Sequence, residues 1–141
     1  MLTTNDVLMK KIIFSAFALL LFTACGQELN TPLEGKWQLQ KVEAGGQVTA
    51  VDTIYYNFQN TLFMYQIYSP ASNSYRSEFG FNSMPDDKTM VVELTDNPTP
   101  VKNFLPYTDW SEGTRRFTVD KVSSKQLILS SDDKTYTFRK F

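Results

Sequence analysis

The sequence holds one thiol, Cys25, and no imidazole. Without histidine, no Ser–His or Cys–His pair and no His-rich metal site can be assembled. The acids that remain for proton transfer stand in two pairs, Asp86-Asp87 and Asp132-Asp133. Both pairs lie in turn-type sequence, Pro85-Asp86-Asp87-Lys88 and Asp132-Asp133-Lys134, where aspartate serves as a solvated turn former. A hydrolytic carboxylate pair instead needs burial, or a like charge in a cleft, to split its pKa values. Neither Asp-Asp-Lys run has calcium-loop spacing. We therefore expect no enzyme, no metal and no cofactor. Two kinds of chemistry are left: modification of Cys25, and binding by aromatic side chains.

Lys10-Lys11 precede an apolar run from Ile12 to Ala24 whose polar members are the small Ser15 and Thr23. A positive region followed by an apolar one is the pattern of a signal peptide. The run falls short of the ~20 apolar residues of a membrane-spanning helix. A buried helix apolar on every face would not suit the strand-like sequence that follows. Residues 1–24 are read as a leader, with Met9 as its true start, because Met9-Lys10-Lys11 brings the charge to the front. Leu21-Phe22-Thr23-Ala24-Cys25-Gly26 resembles a lipobox, in which small residues precede a cysteine that takes a diacylglyceryl group before cleavage. The resemblance implies a bacterial lipoprotein whose Cys25 carries palmitate-type chains. Two or three such chains anchor a protein stably where one does not. Gly26 rather than Asp follows the cysteine, so the outer membrane is expected over the inner, on either its periplasmic or its surface face.

Residues 25–32 form a lipidated tether, of which Gly26 to Pro32 reaches ~20 Å when extended. Residues 33–141 are then one domain, a fitting size for a single core. Its partners are bounded by charge: the net of -1 becomes about -2 once Lys10, Lys11 and Asp6 leave with the leader, which excludes nucleic acid. Aromatic residues make up 14% of the chain and favour strands. Eight strand-sized segments alternate in character: Gly35–Val42, Val51–Phe58, Thr61–Tyr68, Tyr75–Phe81, Thr89–Thr95, Arg115–Val122, Gln126–Ser130 and Thr135–Phe141. Neighbouring hairpins and the lack of a helix after the leader predict an all-β, eight-stranded antiparallel up-and-down barrel. A two-sheet β-sandwich is the alternative, since both demand the same inward alternation.

Six aromatics fall on the predicted inward faces: Tyr56, Phe58, Tyr65, Phe79, Phe81 and Phe117. They either line an apolar pocket or fill a narrow barrel. Thr61–Tyr68 is apolar on both faces, so the long loop, a ligand or another protein must cover one of them. Asp96–Gly113 is longer than most loops in compact domains and carries Phe104, Tyr107 and Trp110 at spacings of three. Those three residues would either plug the barrel mouth as one helical turn or stand exposed as anchors for an envelope partner.

Leu33-Glu34-Gly35-Lys36-Trp37 resembles the Gly-x-Trp opening of lipocalins, at the start of the first strand as there. The stretch from Arg116 through Leu127-Ile128-Leu129 to Phe141 resembles small lipocalin-like lipoproteins of gut-type bacteria. The resemblance implies a barrel whose opening Trp37 packs across the closed end under a basic residue, Arg139, in a cation–π contact. The chain is shorter than a lipocalin and lacks its C-terminal helix. The expectation for function is a membrane-anchored binding module taking a small apolar ligand in or at the mouth of the barrel. The alternative is an interaction module of the cell envelope working through the Asp96–Gly113 loop.

Overall fold

A computed structural model describes residues 32–141; the leader, Cys25 and the tether up to residue 31 lie outside the described residues. Nine strands follow in order: β1 (Gly35–Ala44), β2 (Gln47–Ala50), β3 (Ile54–Gln59), β4 (Leu62–Ser69), β5 (Ser74–Asp86), β6 (Thr89–Leu94), β7 (Thr114–Val122), β8 (Gln126–Ser131) and β9 (Lys134–Lys140). From β3 to β9 each strand pairs antiparallel with the next, and β1 pairs with both β3 and β9. The β1–β9 ladder, from Trp37 opposite Lys140 to Ala44 opposite Lys134, closes the sheet on itself. Eight strands thus form a closed antiparallel barrel, and β2 is one extra strand. Closure excludes the sandwich, which would leave sheet edges unpaired.

Strand β2 escapes a reading by alternation because all four of its residues are exposed and it has no core face. It folds back on the second half of β1 (Lys41 opposite Ala50) through Gly45 and Gly46, both at positive φ. Glycine alone adopts that backbone without cost. The single strand expected over Val51–Phe58 is consequently broken. Val51–Thr53 steps across from the far half of β1, and β3 starts only at Ile54. A register shift between Leu39 and Lys41 moves the inward phase of β1, so that Val42 rather than Lys41 faces the interior.

The interior holds Trp37, Tyr56, Phe63, Tyr65, Phe117, Tyr136 and Phe138, each almost fully buried. Burial of such side chains contributes ~1.5–3 kcal/mol apiece. Strand β5 corrects the sequence reading. Phe79 and Phe81 face outward at 43% and 52% exposure, and Tyr75 is outside with them, while Glu78, Gly80 and Asn82 point in. Registration against β4 explains the inversion. Tyr65 stands opposite Glu78 and Phe63 opposite Gly80, so the large inward rings of this ladder come from β4, and Phe79 and Phe81 fall on its outer face. The inward polar groups are satisfied: the Asn82 amide donates to the carbonyls of Asn60 and Leu62 at 3.1 and 3.0 Å, and Glu78 accepts from Thr99.

A Cβ on Gly80 would collide with the backbone carbonyl of Glu93 on β6. Backbone cannot yield as a flexible side chain can. Gly80→Ala is therefore expected to lower stability by ~1–3 kcal/mol, read as a reduced urea midpoint at unchanged m.

Candidate functional site

The barrel has two unlike ends. At one, the chain enters and the β3–β4, β5–β6 and β7–β8 turns close over the interior. Trp37 caps this end, its indole N–H donating to the Leu33 carbonyl at 2.7 Å. The cation over its ring is Lys140, with Nζ 4.4 Å from the centroid. It is not Arg139, as the resemblance had implied. Alternation along β9 decides the matter: Phe138 points in, Arg139 points out and bonds Gln38 Oε1 at 2.7 Å, and Lys140 returns to the Trp37 side. The Lys140 ammonium is further held by the Glu34 carbonyl. Burial, partly offset by Glu34, lowers its pKa.

The other end is the mouth, partly filled by the segment between β6 and β7. This segment contains a single helical turn, α1 (Val101–Phe104), followed by a 3-10 turn over Leu105–Tyr107. Helical geometry ends at Thr108, which is extended, so the three aromatics do not share a face. Phe104 and Trp110 are buried, while Tyr107 stays outside at 54% exposure with the Arg76 guanidinium 3.7 Å from its ring. Trp110 lies nearly parallel to Phe63, meets Tyr56, Tyr65 and Phe117 edge-on, and donates to the Tyr56 hydroxyl at 3.1 Å. Phe104 meets the Tyr65 ring edge-on at 5.3 Å. Glu78 ties the segment to β5 through the hydroxyl of Thr99 at 3.2 Å. The plug is a packed part of the core.

Beside Trp110 lies a polar network. Arg115 donates to the Tyr136 hydroxyl at 2.6 Å and to Asp109 Oδ1 at 3.2 Å, and Tyr136 donates in turn to Asp109 Oδ2 at 2.5 Å. Lys134 reaches the same carboxylate at 3.3 Å. Burial pushes the Asp109 carboxyl up, but the Tyr136 hydrogen bond and the charges of Arg115 and Lys134 outweigh it and hold the pKa below the ordinary value. Burial, then the Asp109 hydrogen bond and charge, pushes the Tyr136 phenol well up. Burial likewise raises Tyr56 and Tyr65. All three phenols are neutral hydrogen-bonding groups at physiological pH.

Between the plug and the wall formed by β1 to β4 lies a half-open cavity of about 320 Å³. Leu39, Val42, Val51 and Ile54 form its apolar side; Tyr56, Tyr65 and Tyr136 supply hydroxyls; Asp109 and Lys134 mark its rim. Of the six aromatics expected at a pocket, Tyr56 and Tyr65 line this one. Phe58 and Phe117 are buried in the core away from it, and Phe79 and Phe81 lie on the outer surface. Among the described residues no group of three His, Cys, Asp or Glu side chains is placed to hold a metal.

A family model described as a lipocalin-like domain matches residues 20–141. The chain belongs to the lipocalin-like domain family. A solved lipocalin-like protein from Bacteroides uniformis shares 30% identity, covering 79% of this chain and 100% of its own, with a TM-score of 0.69. An uncharacterized protein from Bacteroides eggerthii shares 28% identity over 77% of this chain and 98% of its own, with a TM-score of 0.63. No curated protein matches the chain.

Within this lipocalin-like barrel the residues missed by sequence reasoning are the polar ones: Asp109, Arg115, Lys134, Tyr136 and Glu78. A signal existed for Arg115, which stands two and four residues before inward Phe117 and Val119 on the same face of β7. Charge normally assigns an arginine to solvent, and alternation was the better guide. Asp109 had no such signal, since its position depends on how the plug folds. Asp132 and Asp133 are turn residues, both at positive φ.

Arg115→Met is expected to cost ~1–3 kcal/mol by leaving Asp109 and Tyr136 without their shared donor, measured by urea unfolding. Because the Asp109 pKa is depressed on folding, its stabilisation is fully present above the unfolded value, about 3.9, and is lost as pH falls through the lower folded value. In a Trp37→Phe background, Trp110 emission is expected to be blue and poorly quenched at neutral pH, then to redden below about pH 4. Asp109→Asn should flatten that acid transition.

Proposed function

We propose that this protein is a lipid-anchored lipoprotein of the bacterial cell envelope whose barrel binds a small, largely apolar ligand at its mouth. The mouth cavity carries the ligand reading. Its volume of about 320 Å³ lies at the small end of ligand pockets, which run ~300–1,000 Å³. One side is aliphatic and the other presents neutral phenols, an arrangement suited to an apolar body with one or two polar atoms. Trp110 and Phe104 are packed into the core cluster beside the cavity, so the ligand sits shallow, against β1 to β4. The ionic groups favour binding over catalysis: Asp109 is held ionised by three partners and the phenols are pushed up, leaving no group here poised to move a proton near neutral pH. Anchoring rests on the leader and the lipobox-like run ending at Cys25. An envelope protein docking on the Asp96–Gly113 loop is the weaker reading, because two of its three aromatics are buried and Tyr107 alone is exposed.

The test is native mass spectrometry of residues 26–141 secreted to a bacterial periplasm and gently purified. An added mass that disappears on organic extraction is expected, and it identifies the ligand class directly. Ile54→Trp, which fills the cavity, should abolish the adduct in a folded barrel. A bare protein mass that stays unchanged in a mixture of lipids and metabolites would overturn the ligand reading.

A further inference from the structure

On the outside of the barrel, β4 and β5 present an apolar face that no described residue covers. Leu62 stands opposite Phe81 and Met64 opposite Phe79, so the four side chains share one patch. Leu62 is 52% exposed, Phe79 43% and Phe81 52%. The outward positions of β7, by contrast, are Thr114, Arg116, Thr118 and Asp120. Contiguous exposed apolar surface of this kind marks a contact site.

The patch adjoins the point where the chain enters the barrel. The backbone N–H of Asn60 donates to Glu34 Oε1 at 3.1 Å, and the Asn82 amide joins the carbonyls of Asn60 and Leu62. Glu34, two residues after the first described residue, is thereby held beside the turn that leads into Leu62. From Cys25 to Pro32 the chain can reach roughly 25 Å at full extension. A lipid group on Cys25 would keep this face within that distance of a bilayer at all times.

We infer that the β4–β5 outer face is a membrane-contact surface, resting Leu62, Met64, Phe79 and Phe81 at the headgroup boundary of the bilayer that holds Cys25. This rests on the anchored reading under Proposed function. Apolar area buried at the boundary supplies the affinity, as for other interfacial surfaces. The tether makes contact intramolecular, so weak intrinsic affinity suffices. Glu93, exposed directly opposite Phe81, limits the depth to the headgroup region. The Leu62–Phe81 pair lies toward the closed end, and none of the four residues lines the mouth cavity, which the contact leaves open. A second copy of the chain is the competing occupant, but nothing tethers a second copy beside Leu62.

The test uses the full chain purified from membranes and reconstituted into phosphatidylcholine vesicles. Intact mass first establishes the lipid increment on Cys25; if it is absent, the anchored reading fails and this inference falls with it. With Cys25 lipidated, Met64→Cys or Phe81→Cys offers the one free thiol for a nitroxide label, and Lys102→Cys on α1 is the mouth control. Collision with oxygen several-fold above collision with a water-soluble nickel chelate is expected at 64 and 81, and the reverse at 102. Labels at 64 and 81 that meet nickel as freely as the label at 102 would overturn the inference while leaving the anchor intact. Labels shielded from both reagents would overturn it in favour of a second copy.

Discussion

Everything in this molecule depends on the ladder between β1 and β9. Without it the sheet would be an open ribbon with two hydrogen-bonding edges and an unprotected inner face. With it, eight strands enclose a space only wide enough for side chains. That width explains the composition of the interior. Large rings from β4, β7 and β9 converge on Tyr56 of β3, and close approach of the β6 backbone confines β5 to glycine at position 80. The plug enters this crowded space with two rings, Phe104 at the end of α1 and Trp110 beyond the 3-10 turn.

The mouth shows how a small barrel accommodates charge in its wall. A buried guanidinium such as that of Arg115 is costly unless its donors are met. Asp109, Tyr136 and Ser131 meet them, while Lys134 and the distant edge of Asp132 balance the rim. The network couples three separate pieces of chain, the plug, β7 and the β8–β9 hairpin. A packed plug on one side and aliphatic β1 to β3 residues on the other leave a lateral cavity in place of a deep calyx. The register shift in β1 contributes directly, because it turns Val42 toward that cavity.

The two ends of the barrel differ in chemistry. The closed end, with Trp37 under Lys140, gathers the chain entry, the Glu34–Asn60 contact and the exposed Leu62–Phe81 pair. The mouth holds the phenols and the ionic rim. On the proposed reading, the surface assigned to lipid and the cavity assigned to a solute are separate parts of the barrel.

The eight strands of the barrel and their neighbour-to-neighbour order were legible by alternation, because one face of most of them is apolar and the other is not. The lipocalin-like family was legible at both ends of the domain. Alternation failed where that contrast vanishes. On β2 no face is buried. On β5 apolar residues occupy the outer face, and only pairing with β4 shows that Phe63 and Tyr65 have already taken the interior. The partner of Trp37 turned on a single residue of phase at the end of β9, which the tertiary structure placed at Lys140. The site depended most on tertiary contacts. Tyr56 and Tyr65 belonged to strands that could be read, but Asp109 came to them through a loop whose course is set by where Trp110 fits. Local sequence determines which residues a strand offers to each face; which face is filled, and by whose side chain, is decided only when the barrel closes and volume becomes scarce.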